Sequence, residues 1–284
     1  MIHNGHMGMR RGSHAAQRAP TRSGWRIGVV VLAAAAILAP VGWLTAGALG
    51  GQNGQKRASL VVKSAHRDPS PDPIKTTTAI TNTVGDAVNL VAELPESVQG
   101  YASPGGPPTQ MVPGSWYGVQ SDLPVVAETK GWYEVRLAQR PNESESWIPS
   151  TGITLSVTPY RIVVDLSTMH LELFNEGNLV LDAPAGIGTP TDPTPTGQFF
   201  VAFFAQAPSA GYGPFVLVTS AHSDTITDWE SSGDAIVAIH GPIGADAAIG
   251  TTGAAISHGC VRLHDSDLQQ LSVVPPGSPI SIIN

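Results

Sequence analysis

Beyond residue 83 the chain cuts its apolar residues into short runs. From Tyr160 onward none holds a 3.6-residue period long enough for a long amphipathic helix. Arg161–Leu166 is rich in β-branched residues, which fit a pleated, half-buried surface. His170–Phe174 and Leu179–Ala185 flank Asn175-Glu176-Gly177-Asn178, a hairpin turn by composition, since Gly and Asn tolerate positive φ. A proline-rich loop, Thr189–Gly197, precedes a strand at Gln198–Gln206, and Ala235–His240 reads as another. Asp265 or Ser266 is placed to cap one short helix through Leu271, and Pro275-Pro276-Gly277 then turns into a last strand, Ser278–Ile282. No internal repeat occurs. The expectation for residues 158–284 is a β-rich domain.

Residues 84–157 predict a smaller β unit. Val125–Glu128, Trp132–Leu137, Ser146–Ile148 and Ile153–Val157 are separated by Pro, Gly and Asn turns. Gly131-Trp132-Tyr133-Glu134-Val135, then a turn and Ser146-Trp147-Ile148-Pro149, resembles bacterial SH3-like modules. That resemblance implies a small β-barrel assisting the binding of cell-wall peptides or glycans. Trp116 and Trp132 have two readings, as walls of such a groove or as barrel core.

Toward the N-terminus the composition changes sharply. Residues 1–26 carry five arginines and no acid, and an apolar run follows over 27–49. A run of about 20 residues is enough to span the hydrocarbon core of a membrane. The arginine-rich side is expected to stay in the cytoplasm, leaving the rest of the chain outside. The run reads as a retained transmembrane anchor or as a signal peptide, with Ala46-Gly47-Ala48 as a small-x-small cleavage site. Residues 50–83, with Asp68-Pro69-Ser70-Pro71-Asp72-Pro73, lack the apolar surface to offset ordering entropy and predict a disordered stalk. Beyond residue 50 stand ten Lys and Arg against 22 Asp and Glu, a net −12. Nucleic acid and anionic lipid need basic footprints, so neither is expected as a partner of that part.

The chain has one cysteine, Cys260, in Ile256-Ser257-His258-Gly259-Cys260-Val261-Arg262. A single thiol excludes an intramolecular disulfide framework in an exported protein. Its surroundings favour reactivity: a nearby histidine takes the thiol proton and stabilises the resulting charge as an imidazolium. His240 ends a β-branched run and precedes Gly241, whose position allows a carbonyl to orient the ring, so His240 is assigned as general base and later general acid. Gly259 permits a sharp turn in which the amides of His258, Gly259 and Cys260 converge as an oxyanion site. Ser257 braces that turn. Arg262, one strand step beyond Cys260, faces a substrate carboxylate or pairs with Asp265 or Asp165. His222 lines the cleft near Tyr212 or is an ordinary loop histidine.

His240-Gly241, a sixteen-residue stretch to Ile256 and then Ser257-His258-Gly259-Cys260-Val261-Arg262 resemble the signature of YkuD-type L,D-transpeptidases. Thr194-Pro195-Thr196-Gly197-Gln198-Phe199 and Tyr212-Gly213-Pro214 extend the resemblance over about 125 residues. It implies a cysteine-dependent acyltransferase of peptidoglycan biosynthesis and cell-wall organisation that helps set cell shape, its substrate the stem tetrapeptide, its product a 3→3 crosslink. Carried over by position, Cys260 is the nucleophile, His240 the base and the Gly241 carbonyl its orienting partner. The amides near His258–Cys260 form the oxyanion hole, and Tyr212, His222, Ser257 and Arg262 are substrate-binding candidates. Many members have Asn where Arg262 stands and a subgroup has Arg. Inhibition by carbapenems and the absence of a cofactor also follow from the resemblance.

Three alternatives stand beside this reading. His240, His258, Cys260 and His264 offer four metal ligands, but the spacing has no C-x-x-C or H-x3-H pair, so no metal is expected. Water as acceptor gives an L,D-carboxypeptidase, and an inactive catalytic domain gives a wall-binding protein. No Ser-x-x-Lys occurs to support a serine nucleophile. The His-before-Cys order also departs from papain-like and amidase-type cysteine enzymes, and the Thr-x-Thr-Cys of sortases is absent.

Overall fold

The computed structural model describes residues 88–251 and 254–284. The basic segment 1–26, the apolar run 27–49, the stalk 50–83 and the first residues of the expected β unit lie outside the described residues. Among the described residues no helix is long and apolar enough to cross a membrane.

The N-terminal part forms β1 (Asn89–Leu94), β2 (Val98–Tyr101), β3 (Pro108–Val112), β4 (Ser115–Trp116), β5 (Val119–Thr129), β6 (Trp132–Arg136), β7 (Glu145–Pro149) and β8 (Thr154–Thr158). Their order is β3-β2-β7-β6-β5-β1-β8, with β4 on β5, and every pairing is antiparallel. The expected four runs are there, joined by β1 to β4, which sequence periodicity did not reveal. Alternate residues face one apolar layer, including Leu94, Leu123, Val125, Val135 and Ile148. Trp116 packs against this layer, which favours the core reading for it, while Trp132 meets Tyr101 edge-on at 5.0 Å.

The C-terminal part forms β9 (Tyr160–Asp165), β10 (His170–Asn175), β11 (Asn178–Pro184), β12 (Ile187–Gly188), β13 (Gly197–Ala205), β14 (Val216–His222), β15 (Ile236–His240), β16 (Ala255–Ser257), β17 (Val261–Arg262) and β18 (Pro279–Ile283), with one helix, α1 (Asp265–Gln270). The main sheet runs β11-β10-β9-β18-β13-β14-β15-β17, and β12 pairs separately with β16. The turn between β10 and β11 has Glu176 and Gly177 at φ +49° and +77°, the positive-φ geometry that its composition predicted. Two expectations need correction. His222 lies at the end of a strand and not on a loop: β14 is buried on both faces, so its sequence shows no alternation. Its hydroxyls are satisfied internally, Thr219 Oγ1 donating to Val237 O at 2.7 Å and Ser220 Oγ accepting from Phe200 N at 3.0 Å. The helix cap falls on His264, with Asp265 already in the first turn.

β13 joins the two parts. Phe199 and Val201 enter the C-terminal core, whereas Phe200 and Ala202 enter the N-terminal one. A bulge against β14 between Val201 and Phe203 then shifts the alternation, so Phe203 also faces the N-terminal core and Phe204 the C-terminal one. Buried hydroxyls of Thr158 and Ser278 meet at 2.8 Å beside this seam. Gly277, at φ +81°, lies where a Cβ would come 2.4 Å from Val91.

Phe200→Ala is expected to cost about 3–5 kcal/mol, with tryptophan fluorescence and far-UV circular dichroism still reporting one urea transition. Leu179→Ala, at a side chain 52% exposed, is expected to stay within about 0.5 kcal/mol of the parent. Equal losses in the two variants would remove β13 from its bridging role.

Candidate active site

β15 and β17 run parallel, with Ile239 opposite Val261 and His240 opposite Arg262. Val237, Ile239 and Val261 enter the C-terminal core. Period-two alternation therefore turns His240 and Arg262 to the opposite face. Cys260 immediately precedes β17, with its thiol at the Ala238 backbone N–H and near the Arg262 charge, which brings it to the strand pair that carries His240, twenty positions away in sequence.

The His240 ring is 3% exposed, and its Nδ1 lies 2.7 Å from Gly241 O. A carbonyl oxygen only accepts, so Nδ1 carries the proton and Nε2 keeps its lone pair. Burial pushes the imidazole pKa down to about 4, opposed by the Gly241 hydrogen bond and assisted by the Arg262 guanidinium. Gly241 itself has no room for a side chain: a Cβ would sit 2.6 Å from Gly213 N and from Asp265 Oδ1. Its N–H donates to Tyr212 O at 2.8 Å, which sets the Tyr212 ring 4.8 Å from the His240 ring. The Tyr212 phenol is raised by burial and then by Cys260 and Glu230, so it lies within electrostatic reach of the thiol.

Cys260 closes the turn between β16 and β17 and is half-buried. Burial pushes its thiol above the ordinary value, against a hydrogen bond from the Ala238 backbone N–H and the Arg262 charge. The two shifts go in opposite directions, and each disfavours the charged form of its group.

Ser257 is 1% exposed; its hydroxyl donates to Cys260 O at 2.6 Å and accepts from Gly259 N at 3.1 Å. That hydroxyl braces the turn and is not presented to a ligand, and the Gly259 amide is engaged by it. His258 and Cys260 are the remaining amides of the expected oxyanion site. Gly259 adopts φ +116°, which an L side chain rarely takes. Its carbonyl accepts from Thr194 Oγ1 at 2.9 Å, and Thr194 Oγ1 accepts from Gly188 N at 2.9 Å. This buried threonine ties the proline-rich loop to the turn. No chemical signal in the sequence singled it out.

Arg262 forms no ion pair among the described residues, so the sequence alternative of a bridge to Asp265 or Asp165 is not realised. Its backbone is fixed by reciprocal bonds with Gly186, each 2.8 Å. Nη1 reaches Pro242 O only at 3.4 Å, and its buried Nε has no hydrogen-bond partner. A half-buried guanidinium with unused donors, on the face of the thiol, is suited to a carboxylate.

His222 is 2% exposed, and its contacts lie away from this cluster. Its Nδ1 is 2.8 Å from Asp234 Oδ2, a close contact that falls short of hydrogen-bond alignment, and its ring lies 6.1 Å from that of Trp116. Burial lowers its pKa despite Asp234. The expectation that it lines the cleft beside Tyr212 is corrected accordingly. His264 pairs with Asp246 at 2.7 Å, and the described residues contain no cluster of ligands suited to a metal ion. Sequence reasoning also missed Trp229, whose ring lies 5.1 Å from that of His258.

A buried imidazole of fixed tautomer on the face of a lone thiol, at the ends of parallel strands, has the parts of a cysteine acyl-transfer site. Residues 159–282 match the family model of the YkuD L,D-transpeptidase catalytic domain. The YkuD L,D-transpeptidase-type proteins of Bacillus licheniformis and Bacillus subtilis are 30% and 29% identical over 125 residues, 44% of this chain and 66% of theirs. The chain thus spans about two thirds of the length of these curated relatives. An L,D-transpeptidase structure from Mycobacterium smegmatis is 21% identical and aligns over 56% of this chain and 80% of that one, with TM-score 0.36. The family-model and sequence matches support a YkuD-type L,D-transpeptidase catalytic domain in the C-terminal part.

The low imidazole pKa fixes a pH dependence of stability. Between pH 6.5 and about 4 the unfolded histidine binds a proton that folded His240 refuses, so stability falls as pH drops through that window. The loss from His240 approaches about 3 kcal/mol at its lower end. His240→Gln is expected to flatten the stability–pH curve there by most of that amount, measured by urea denaturation at closely spaced pH values. Superimposable slopes for parent and variant would show that His240 is not held neutral.

Proposed function

We propose that this protein is a peptidoglycan L,D-transpeptidase with Cys260 as nucleophile and His240 as its base. The observation that carries the reading is the His240 tautomer: Nδ1–H is held by Gly241 O, leaving Nε2 as the free base on the face of the chain's one thiol. Nε2 takes the thiol proton as Sγ bonds to the carbonyl carbon at the L,D-peptide bond of a stem tetrapeptide. The π electrons move onto oxygen, where the amides of His258 and Cys260 receive them. Collapse breaks the C–N bond, and His240 returns the proton to the departing amine of D-alanine. The resulting thioester is attacked by the side-chain amine of a second stem, forming the 3→3 crosslink and regenerating the thiol. Arg262 holds a carboxylate of the donor, and Tyr212 packs on the base. No cofactor takes part.

The acidic composition after residue 50 and the basic, then apolar, N-terminus support a catalytic part working outside the membrane. The N-terminal β part is read as an SH3-like module that presents the wall to it. Carbapenems are proposed to acylate the same sulfur.

Cys260→Ala is expected to abolish both muropeptide dimer formation and covalent carbapenem mass addition, while the circular dichroism spectrum is retained. His240→Ala is expected to slow acylation by about 10²–10⁴-fold. The acid limb of the parent kcat/KM profile is expected near pH 4, where His240 titrates, and not near 6.5. The decisive assay is disaccharide-tetrapeptide incubated with the protein and read by mass spectrometry. A dimer supports the transpeptidase, tripeptide alone replaces it with a carboxypeptidase, and crosslinking retained by Cys260→Ala overturns the reading.

A further inference from the structure

The segment 223–235, between β14 and β15, reaches the catalytic turn from outside the sheet. Its tip carries Trp229, 43% exposed and packed on the His258 ring, and Glu230, whose charge is felt by Tyr212. The ring contact places the tip against His258, two residues before Cys260, and the Glu230 charge lies within electrostatic reach of Tyr212. Glu230 and Ser231 both adopt positive φ, +51° and +63°. Two successive non-glycine residues in that region are costly unless the surroundings hold them.

What holds them comes from the N-terminal part. Arg140, in the connection between β6 and β7, donates from Nη1 to Ser223 O at 2.7 Å and from Nη2 to Ile226 O at 2.9 Å. Its Nε pairs with Asp234 Oδ1 at 2.9 Å. One planar guanidinium thus grips both feet of the segment, a geometry that lysine cannot reproduce with a single ammonium. Asp234 carries the grip onward: Oδ1 also accepts from Ala235 N, Oδ2 contacts His222, and its carbonyl accepts from Trp229 N at 2.9 Å. Ser232 N closes the tip onto Trp229 O at 3.0 Å.

We infer that Arg140 is a positioning residue of the active site, acting through Asp234 to hold Trp229 as the outer wall of the donor-peptide cleft. The N-terminal part thereby completes a site whose chemistry lies wholly in the C-terminal part. Trp229 is a specificity determinant: an indole face beside His258 offers a flat apolar wall to the peptide chain leading to the attacked carbonyl.

The kinetic arm of the test rests on Cys260 being the nucleophile, whereas the spectroscopic arm does not. Full-length protein labelled with 5-fluorotryptophan is compared with its Arg140→Ala, Arg140→Lys and Glu143→Ala variants, with Trp229→Phe assigning the Trp229 resonance. Glu143 is the control: it also bridges the two parts, accepting from Gln198 N at 2.8 Å, but does not touch the segment. Arg140→Ala is expected to move the Trp229 resonance toward the position of free fluorotryptophan and to raise KM for the tetrapeptide donor about tenfold. Alkylation of Cys260 by iodoacetamide, too small to need the wall, is expected to keep its rate. Arg140→Lys is expected to fall between, and Glu143→Ala to lower Tm with the resonance and KM unmoved. A Trp229 resonance unchanged in both Arg140 variants overturns the inference, as does a shifted resonance with parental KM. Loss of muropeptide activity in every sample, with the resonance shifted in Arg140→Ala, would overturn the functional reading while leaving the grip in place.

Discussion

The arrangement depends on one strand with two buried faces. β13 places Phe199 and Val201 in one core and Phe200 and Ala202 in the other, so both layers are built partly from it. An aromatic side chain buried on each face of one strand gives the two cores a common energetic fate, since displacing β13 exposes both. The bulge after Val201 is part of this device. It lets Phe203 join Ala202 on the N-terminal side while Phe204 returns to the C-terminal core. From β13 the ladder passes to β14 and β15 and ends at β17, so the catalytic edge is braced through the strand that fastens the two cores.

At that edge the backbone supplies most of the constraint. Gly241 lies against the Tyr212–Gly213 backbone without room for a Cβ, and its carbonyl fixes the His240 tautomer. Ser257 and Thr194 hold the cysteine turn from two sides, one through the Cys260 carbonyl and the Gly259 amide, the other through the Gly259 carbonyl. Small residues recur here because the close approaches are between main chains. His240 and Arg262 are the side chains that the register turns away from the core, beside the Cys260 turn.

Much of this was legible from residue order. A β-branched run ending in His-Gly and a Ser-His-Gly-Cys turn are local patterns, and local patterns determine strand ends and tight turns. The hairpin at Asn175–Asn178 was legible for the same reason. β14 was not, because a strand buried on both faces carries no alternation and its Thr219, Ser220 and His222 read as loop polarity. The role of Ser257 as a brace was visible, but its capture of the Gly259 amide depends on a rotamer that no spacing encodes. Arg140 was invisible for a deeper reason. Its partners lie 83 to 94 positions away, and an arginine before a proline in a polar connection looks like any solvated charge.

Desolvation gives the cover over the site a chemical meaning. Burial raises the thiol and lowers the imidazole, so both shifts disfavour separated charge. A thiolate held permanently beside an imidazolium would react with any electrophile that diffused in. Under the proposed mechanism, a neutral pair reacts when substrate brings the oxyanion donors into use, and the proton moves as the C–S bond forms. The same desolvation that lowers basicity makes those donors more effective, because they face less competing water. In the proposed chemistry, the Tyr212 ring on His240 and the Trp229 ring on His258 would therefore serve proton transfer, by excluding water, as much as recognition. A grip that reaches one of those walls from the N-terminal part gives that part a route to the reactivity of a sulfur it does not touch.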